Sequence, residues 1–221
     1  MISSISDLLN LLVHAPPPVS PYLAESAPPI PGDLPEGLAS VYAVGVRLGW
    51  FGAGLTPYGT QDKLLHPSRL KRVEGMIEFA WENQGNWSCR FPARDNDPQV
   101  FSNASDSWTG LRQGFRATGI SLNHFLITFC LQELVCSCPQ LLVLPEDIGQ
   151  ERLKALGFKP LWLSGRDVDD EPTHDFYGWE DGRAFLFRHC HEGLFVGSAV
   201  VSGVVARLHQ AGVGTVAMRT S

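Results

Sequence analysis

Apolar positions recur every three or four residues in five separate segments of the chain, which is the spacing of one face of an α-helix. Ser4 or Ser6 can cap the first of these helices, and Ser121 or Asn123 can cap the third. Gly157 is expected to end the fourth. The five predicted helices span residues 2–13, 36–48, 121–138, 145–156 and 198–210.

Other segments alternate apolar and polar residues, as strands with one buried face do. Residues 76–81 and 87–91 flank a turn around Gly85, which predicts a β-hairpin. Hairpins between helices indicate an α+β fold, an antiparallel β-sheet flanked by helices. The remaining predicted strands are a third one at 99–101, one at 161–163, and a meander over 176–179, 184–190 and 194–196.

Two stretches lack either periodicity. Half of the 16 prolines lie between Pro16 and Pro35, which predicts a stiff extended arm. A linker that wraps around the domain is favoured there over a proline-rich partner motif. Residues 49–59 are rich in glycine and aromatic side chains and predict a loop. The Gly52-Ala53-Gly54 within it is no phosphate-binding signature, because no strand and helix flank it.

Composition narrows the class of protein. The 221 residues are 44% hydrophobic and 18% charged, so we expect a folded chain with a sizeable core. A net charge of −6 argues against nucleic-acid binding, and no apolar run approaches the ~18 residues of a membrane span. The start of the chain carries Asp7 and no basic residue, which predicts a cytoplasmic protein. The odd count of 5 cysteines predicts reduced core residues.

The negative charge is concentrated in one segment. Residues 1–40 carry a charge of −4, residues 41–140 of +1 and residues 141–221 of −3. Within the last segment, residues 167–181 hold seven acidic side chains and no lysine or arginine. Such a run is commonly a solvated loop, and it can also steer a basic partner toward the protein.

Reactive residue types are present, but their spacing completes no catalytic set. His189-Cys190-His191 is the tightest histidine cluster, and alternate residues of a strand share one face. With His174 it forms the zinc-enzyme alternative. Cys136 and Cys138 are one residue too close for the usual zinc or redox spacing, and Asp95-Asn96-Asp97 lacks the rest of a calcium loop. We therefore predict no catalytic residue, no metal site and no cofactor.

Short motifs between residues 32 and 137 follow one another in a familiar order. They are Leu34-Pro35-Glu36, Leu64-Leu65-His66-Pro67, Glu74 to Ala80, Asn83 to Trp87, Asp97 to Phe101, Trp108, and Asn123-His124-Phe125-Leu126. In this order the region resembles the SUKH superfamily, the cell-wall-assembly-regulator-like immunity proteins. The chain departs from the family in its proline-rich arm, its long C-terminal part, and Trp87, where the family often has a small residue or Asp.

The resemblance implies an antiparallel sheet flanked by helices and no enzyme activity. It divides the chain into an N-terminal helix and arm (1–31), a SUKH-like core (32–140) and a C-terminal α+β extension that completes the same domain (141–221). Members commonly bind a cognate bacterial toxin, often a nuclease or deaminase, and block its active site. The implied function is therefore an immunity protein that neutralises a toxin by occlusion. The alternative is a non-catalytic regulatory or scaffold module of the same fold.

An acidic surface suits such a partner, because nuclease toxins tend to be basic around the groove that holds nucleic acid. We therefore predict a protein toxin with a basic surface as the partner, and no nucleic acid or membrane. The predicted contacts are Asp167, Asp169, Asp170, Glu171 and Asp175 of the acidic run, Trp179 as an aromatic anchor, and Glu82, Asp95 and Asp97 in turns of the core.

Overall fold

The structure, a computed structural model, consists of helices and antiparallel strands. It describes residues 1–15, 29–48, 62–104, 106, 110, 114–138, 140–144, 148–166, 168, 172–179, 182, 184–189, 193–198, 201–214 and 217–220. The helices within these ranges are α1 (Ile5–His14), α2 (Glu36–Arg47), α3 (Leu122–Cys136), α4 (Gln150–Ala155) and α5 (Val201–Gln210). None of them is both long and apolar enough to cross a membrane.

Twelve strands in the described ranges form two antiparallel sheets. The strands are β1 (Asp62–Leu64), β2 (Lys71–Val73), β3 (Met76–Glu82), β4 (Ser88–Pro92), β5 (Gln99–Ser102), β6 (Arg116–Ser121), β7 (Gln140–Leu144), β8 (Phe158–Arg166), β9 (Pro172–Trp179), β10 (Ala184–His189), β11 (Gly193–Ser198) and β12 (Ala217–Thr220). Sheet one has the order β1-β3-β4-β5-β6, with β2 also paired to β3. Sheet two has the order β12-β7-β11-β10-β9-β8.

Helix α3 lies at the centre of the molecule. It contacts β5 and β6 of sheet one, β8, β10 and β11 of sheet two, and both α1 and α2. A helix that is apolar on every side is stable only when every side is covered, and α3 is such a helix. Its buried residues are Leu122, Phe125, Leu126, Ile127, Thr128, Phe129, Cys130, Leu131, Glu133, Leu134 and Val135.

Sheet two is covered on both faces. Alternate residues of its strands point to opposite faces, and each face packs against a different core. Phe176, Phe185 and Phe187 belong to the inner core that surrounds α3. Tyr177 and Leu186, their neighbours in sequence, belong to a second core. This outer core includes Leu153 and Leu156 beside α4 and Val204 and Leu208 of α5. The layers are therefore sheet one, helices α1 to α3, sheet two, and helices α4 and α5.

The predicted α+β class is confirmed. The helices predicted over 2–13, 36–48, 121–138 and 198–210 correspond to α1, α2, α3 and α5, and the predicted strands to β3, β4, β5 and β8 to β11. Ser4 and Ser121 cap their helices, since their side chains accept from the N–H groups of Asp7 and His124. Among the described residues, Cys89, Cys130 and Cys138 are buried, as predicted for core cysteines.

The prediction for residues 145–156 was wrong about where the helix begins. Helix α4 starts at Gln150, and Gly149 before it is extended, with a ψ of 162°. The Ile148 carbonyl accepts a hydrogen bond from Nη2 of Arg188 at 2.7 Å. Residues 16–28 of the proline-rich stretch, residues 49–61, which include the predicted loop 49–59, and residues 145–147 lie outside the described residues.

Five strands were not predicted: β1, β2, β6, β7 and β12. The first two are only three residues long, too short to display a period. In β6, Gly119 has a φ of +76° and interrupts the alternation. Strand β8 also extends well beyond residues 161–163, and its pairing with β9 shifts at three places. Irregular strands of this kind are specified by their neighbours more than by their own pattern.

A pair of glycine substitutions tests the close contact between sheet two and α3. A Cβ at Gly197 of β11 would collide with the Val135 carbonyl oxygen and lie 2.9 Å from Sγ of Cys138. We expect Gly197→Ala to lower the free energy of unfolding by about 2–3 kcal/mol in urea titrations, the usual cost of overpacking.

Gly203→Ala is the matched control, because a Cβ at Gly203 of α5 meets nothing within 4 Å. Alanine is the better helix former, so this variant should be as stable as the natural chain or more stable by up to about 1 kcal/mol. Equal stability of the two variants would contradict the packing described here.

Candidate functional site

The acidic run begins at the end of a hairpin in sheet two. Arg166, the last residue of β8, pairs with Pro172, the first residue of β9. The connection between them is residues 167–171, of which Val168 is buried in the inner core. Asp167, Asp169, Asp170 and Glu171, four of the predicted contacts, lie outside the described residues.

The same end of the sheet meets the first turn of α3. The backbone N–H of Arg166 donates to Nε2 of His124 at 3.1 Å. The next residue back, Asn123, donates its backbone N–H to Oδ1 of Asp97 at 2.8 Å. Two adjacent residues of α3 therefore make hydrogen bonds with Arg166, the residue that precedes the acidic run, and with Asp97. We call Asp95, Asp97 and the acidic residues that follow Arg166 in the chain the acidic end.

The turn that carries Asp95 and Asp97 provides hydrogen-bond acceptors for the first N–H groups of two helices. Besides the bond from Asn123 to Asp97, the Pro98 carbonyl accepts the N–H of Leu122 at 2.8 Å. Oδ1 of Asn96 accepts the N–H of Glu36, the first residue of α2, at 3.1 Å. The first backbone N–H groups of a helix have no partner inside the helix, and acidic side chains suit its positive end. The turn is thus held in place by α2 and α3, and Asp95 on it is exposed.

The other described members of the predicted contact set make internal hydrogen bonds. Oε2 of Glu82 accepts the N–H groups of Gln84 and Asn86 in the β3–β4 turn. Oδ1 of Asp175 accepts the N–H of Ser164, a residue with a φ of +58° in β8. These carboxylates stabilise local turns and bulges, and their contact with a partner stays a prediction.

Trp179 is held on the outer side of sheet two. Its indole Nε1 donates to the Leu156 carbonyl at 2.9 Å, and its ring stacks on Phe158. The Arg207 guanidinium lies 4.7 Å from the ring centre. Trp179 therefore lies on the face of sheet two that is opposite α3 and is not part of the acidic end. Glu82, in the β3–β4 turn, is not part of it either.

Sequence reasoning missed His124, the residue that ties the acidic connection to α3. Its ring lies edge-on to Trp162, with 5.0 Å between the ring centres. Burial lowers the pKa of His124 below 6.5, the Arg166 charge lowers it further, and Asp97 opposes both. A nitrogen that accepts a hydrogen bond carries no proton, so the contact with Arg166 requires the neutral ring. No local pattern reveals this contact, because Arg166 is 42 residues further along the chain.

His174, the described side chain of the zinc alternative, is packed in the aromatic core. His174 is 4% exposed, and its ring stacks face to face on Phe187 with 4.8 Å between centres. His189 pairs with His174 in the β9–β10 ladder, but its side chain and His191 lie outside the described residues. No group of three or more metal-ligating side chains occurs among the residues that the structure describes.

Cationic side chains on sheet one are paired around a buried carboxylate. Glu78 accepts hydrogen bonds from Lys71, Trp81 and Arg90 at 2.8–3.0 Å. Burial tends to raise the pKa of Glu78, but these hydrogen bonds outweigh it and the pKa is lowered. Arg90 also lies over the ring of Phe115. This cluster neutralises charge locally, in contrast to the acidic end.

A second group of carboxylates is buried at the start of β1. Oε1 of Glu133, on α3, accepts the N–H of Asp62 at 2.9 Å, and Asp62 pairs with Glu82 in the β1–β3 ladder. Burial, with a further contribution from the Glu82 charge, raises the pKa of Asp62 from 3.8 to about 7. Near neutral pH a substantial fraction of this carboxyl therefore keeps its proton.

Protonation of His124 should break the hydrogen bond that its Nε2 accepts from the backbone N–H of Arg166. Because the folded pKa of His124 is below 6.5, the unfolded chain takes up the proton first as the pH falls. The stability that His124 contributes is complete above pH 6.5 and is lost at lower pH. In NMR titrations we expect its ring to titrate below pH 6.5, and the Arg166 amide to exchange faster once the ring is protonated.

His124→Gln is the control for that titration. A glutamine side chain has an oxygen that can accept from Arg166, and it does not titrate. Its Arg166 amide should lose the pH-dependent change in exchange. A His124 ring that titrates at or above pH 6.5 would rule out the neutral acceptor.

Asp62 should give the opposite pH dependence. The folded chain holds this proton between pH 3.8 and about 7, whereas the unfolded chain has lost it. Stability from Asp62 therefore falls as the pH rises through that range. We expect Asp62→Asn to be more favourable for stability at pH 8 than at pH 4. The difference between its two changes in the free energy of unfolding, each relative to the natural chain, should be on the order of 2–4 kcal/mol.

Urea titrations at both pH values measure this, with Asp95→Asn as the matched exposed control. No gain from Asp62→Asn at pH 8 would refute the prediction.

Comparisons with known proteins add no assignment. No family model, no curated protein and no solved structure matches this chain. The resemblance to the SUKH superfamily therefore stays a prediction that rests on the short motifs alone.

Proposed function

We propose that this protein is an immunity protein, which binds a cognate bacterial toxin with a basic surface and neutralises it by occlusion. One observation carries the proposal: Asp97 and Arg166, the residue that precedes the acidic run, make hydrogen bonds with adjacent residues of one helix. Asp95 and Asp97 thus lie near the point from which the acidic run continues, although about 70 residues separate the two stretches in the chain.

The anchoring of Asp97 supports a binding role. Its Oδ1 accepts the backbone N–H of Asn123 in α3, a helix whose side chains are mostly buried. A carboxylate that is already held in place loses less conformational entropy when a partner binds. It also has further lone pairs that can accept from lysine or arginine. Asp97 therefore offers a fixed acceptor to a basic partner.

The chemistry of the partner follows from this charge. Clustered carboxylates imitate the phosphates that a nuclease groove attracts, and they raise the rate of encounter at low salt. Trp179 is engaged with Leu156 and Arg207, so the acidic residues carry the proposal more than this anchor does. Recognition by the acidic end needs no catalytic residue and no cofactor.

The test is co-expression with the toxin candidate encoded beside this gene. Induction of the neighbour alone should stop growth, and co-expression of this protein should restore growth and yield a one-to-one complex. Asp169→Asn, Asp170→Asn and Glu171→Gln together should slow association by about tenfold at low salt, with less effect at high salt. Stopped-flow or surface binding kinetics measure this.

The matched control neutralises three other acidic residues. Glu74 lies in the β2–β3 turn, Asp106 follows β5, and Glu151 is on α4. Glu74→Gln, Asp106→Asn and Glu151→Gln together should leave the association rate within about twofold of the natural chain. Equal rates for both triple variants at low salt would refute the acidic end as the binding surface. Binding to a neighbour that is not toxic would instead indicate a regulatory or scaffold module.

A further inference from the structure

A cavity on the outer side of sheet two is separate from the acidic end. It lies between α4 and the start of β8, and its volume is about 360 Å³. Pockets that hold small molecules usually start at about this size. Its walls include Gln150 and Lys154 of α4, Phe158 and Lys159 of β8, and Tyr177 of β9. Tyr177 belongs to the outer core, whereas α3 lies on the other face of the sheet.

Tyr177 places an unpaired donor at this cavity. The residue is 2% exposed, and its hydroxyl has no partner in hydrogen-bond geometry among the described residues. The Gln150 side chain lies close enough to lower the pKa of this hydroxyl by hydrogen bonding, but the two groups are not in hydrogen-bond geometry, and Gln150 itself lines the cavity. The pKa of Tyr177 is raised, by burial first and by Asp175 second, so the hydroxyl keeps its proton. A buried donor without an acceptor points to a missing partner.

The charge around the cavity is opposite to that of the protein. Residues 148–160 carry three basic side chains, Arg152, Lys154 and Lys159, and a single acid, Glu151. The chain as a whole has a net charge of −6. Among the charged residues that line the cavity, Lys154 and Lys159 are basic and Glu151 is acidic, which gives a net charge of +1. All three are exposed, so the lysines attract an anion to the mouth. The ring of Phe158 and the ring of Tyr177 supply flat apolar surface.

We propose that this cavity binds a small organic carboxylate with a flat apolar body. The carboxylate accepts from the Tyr177 hydroxyl and from the ammonium group of Lys154, and Lys159 adds attraction at the mouth. The apolar body packs between Phe158 and Tyr177. The side chain of Gln150 moves aside or donates a hydrogen bond from its amide N–H to the same carboxylate. No step of this proposal depends on the acidic end or its toxin.

Sodium benzoate is the probe for the first test, with the ¹⁵N-labelled full chain. Benzoate should cause saturable NMR shifts at Gly157, Phe158 and Lys159. Benzyl alcohol, which lacks the charge, and inorganic phosphate, which lacks the apolar body, should each bind at least tenfold more weakly. Shifts that fail to saturate, or that phosphate produces equally well, would overturn the proposal.

Substitutions assign the binding to the named groups. Tyr177→Phe removes only the unpaired hydroxyl, so the free protein should melt at the same or a higher temperature while benzoate binds at least tenfold more weakly. Lys154→Gln should also weaken binding at least fivefold. Lys63→Gln makes the same charge change on β1 and should leave binding unchanged. Unaltered benzoate affinity in both Tyr177→Phe and Lys154→Gln would refute the site.

Discussion

The burial of α3 is the constraint on which the rest of the structure depends. A helix that is apolar on all sides has no face that can remain exposed to water, so two sheets and two further helices pack around it. Even its one acidic side chain, Glu133, is buried and accepts the backbone N–H of Asp62, which fixes the start of β1. The contact between Gly197 and Val135 shows how closely sheet two approaches, since no larger residue fits there without a shift.

The surface charge at one end of the molecule follows from the needs of that helix. The first N–H groups of α3 require acceptors, and Ser121, Asp97 and the Pro98 carbonyl provide them. An acidic residue is favoured there by the helix dipole. His124 in the same turn then holds Arg166, where the acidic connection begins. The features that stabilise α3 therefore also hold Asp97 and Arg166, the described residues next to the binding site that we propose.

The two faces of sheet two differ in chemistry because they face different layers. The inner face carries the phenylalanines that pack on α3, and its edge ends in the acidic connection. The outer face carries Tyr177 and a cavity with lysines at its mouth. On sheet one, Glu78 pairs Lys71 and Arg90, so those cations do not offset the acidic end. The acidic end and the lysines of the cavity thus lie apart, so their charges do not neutralise each other.

The sequence by itself determined the α+β class, the main helices and their serine caps, the β3–β4 hairpin and the meander. These features are local, because caps, turns and periodicity act between residues close in the chain. It also indicated which residues are acidic. Only the tertiary structure decided that Asp97 and Arg166 bond to adjacent residues of α3, with His124 as the acceptor for Arg166. It alone also showed that the buried Tyr177 hydroxyl has no partner in hydrogen-bond geometry among the described residues. Those contacts join residues far apart in sequence, and the packing of α3 between two sheets, which no local pattern encodes, sets their distances.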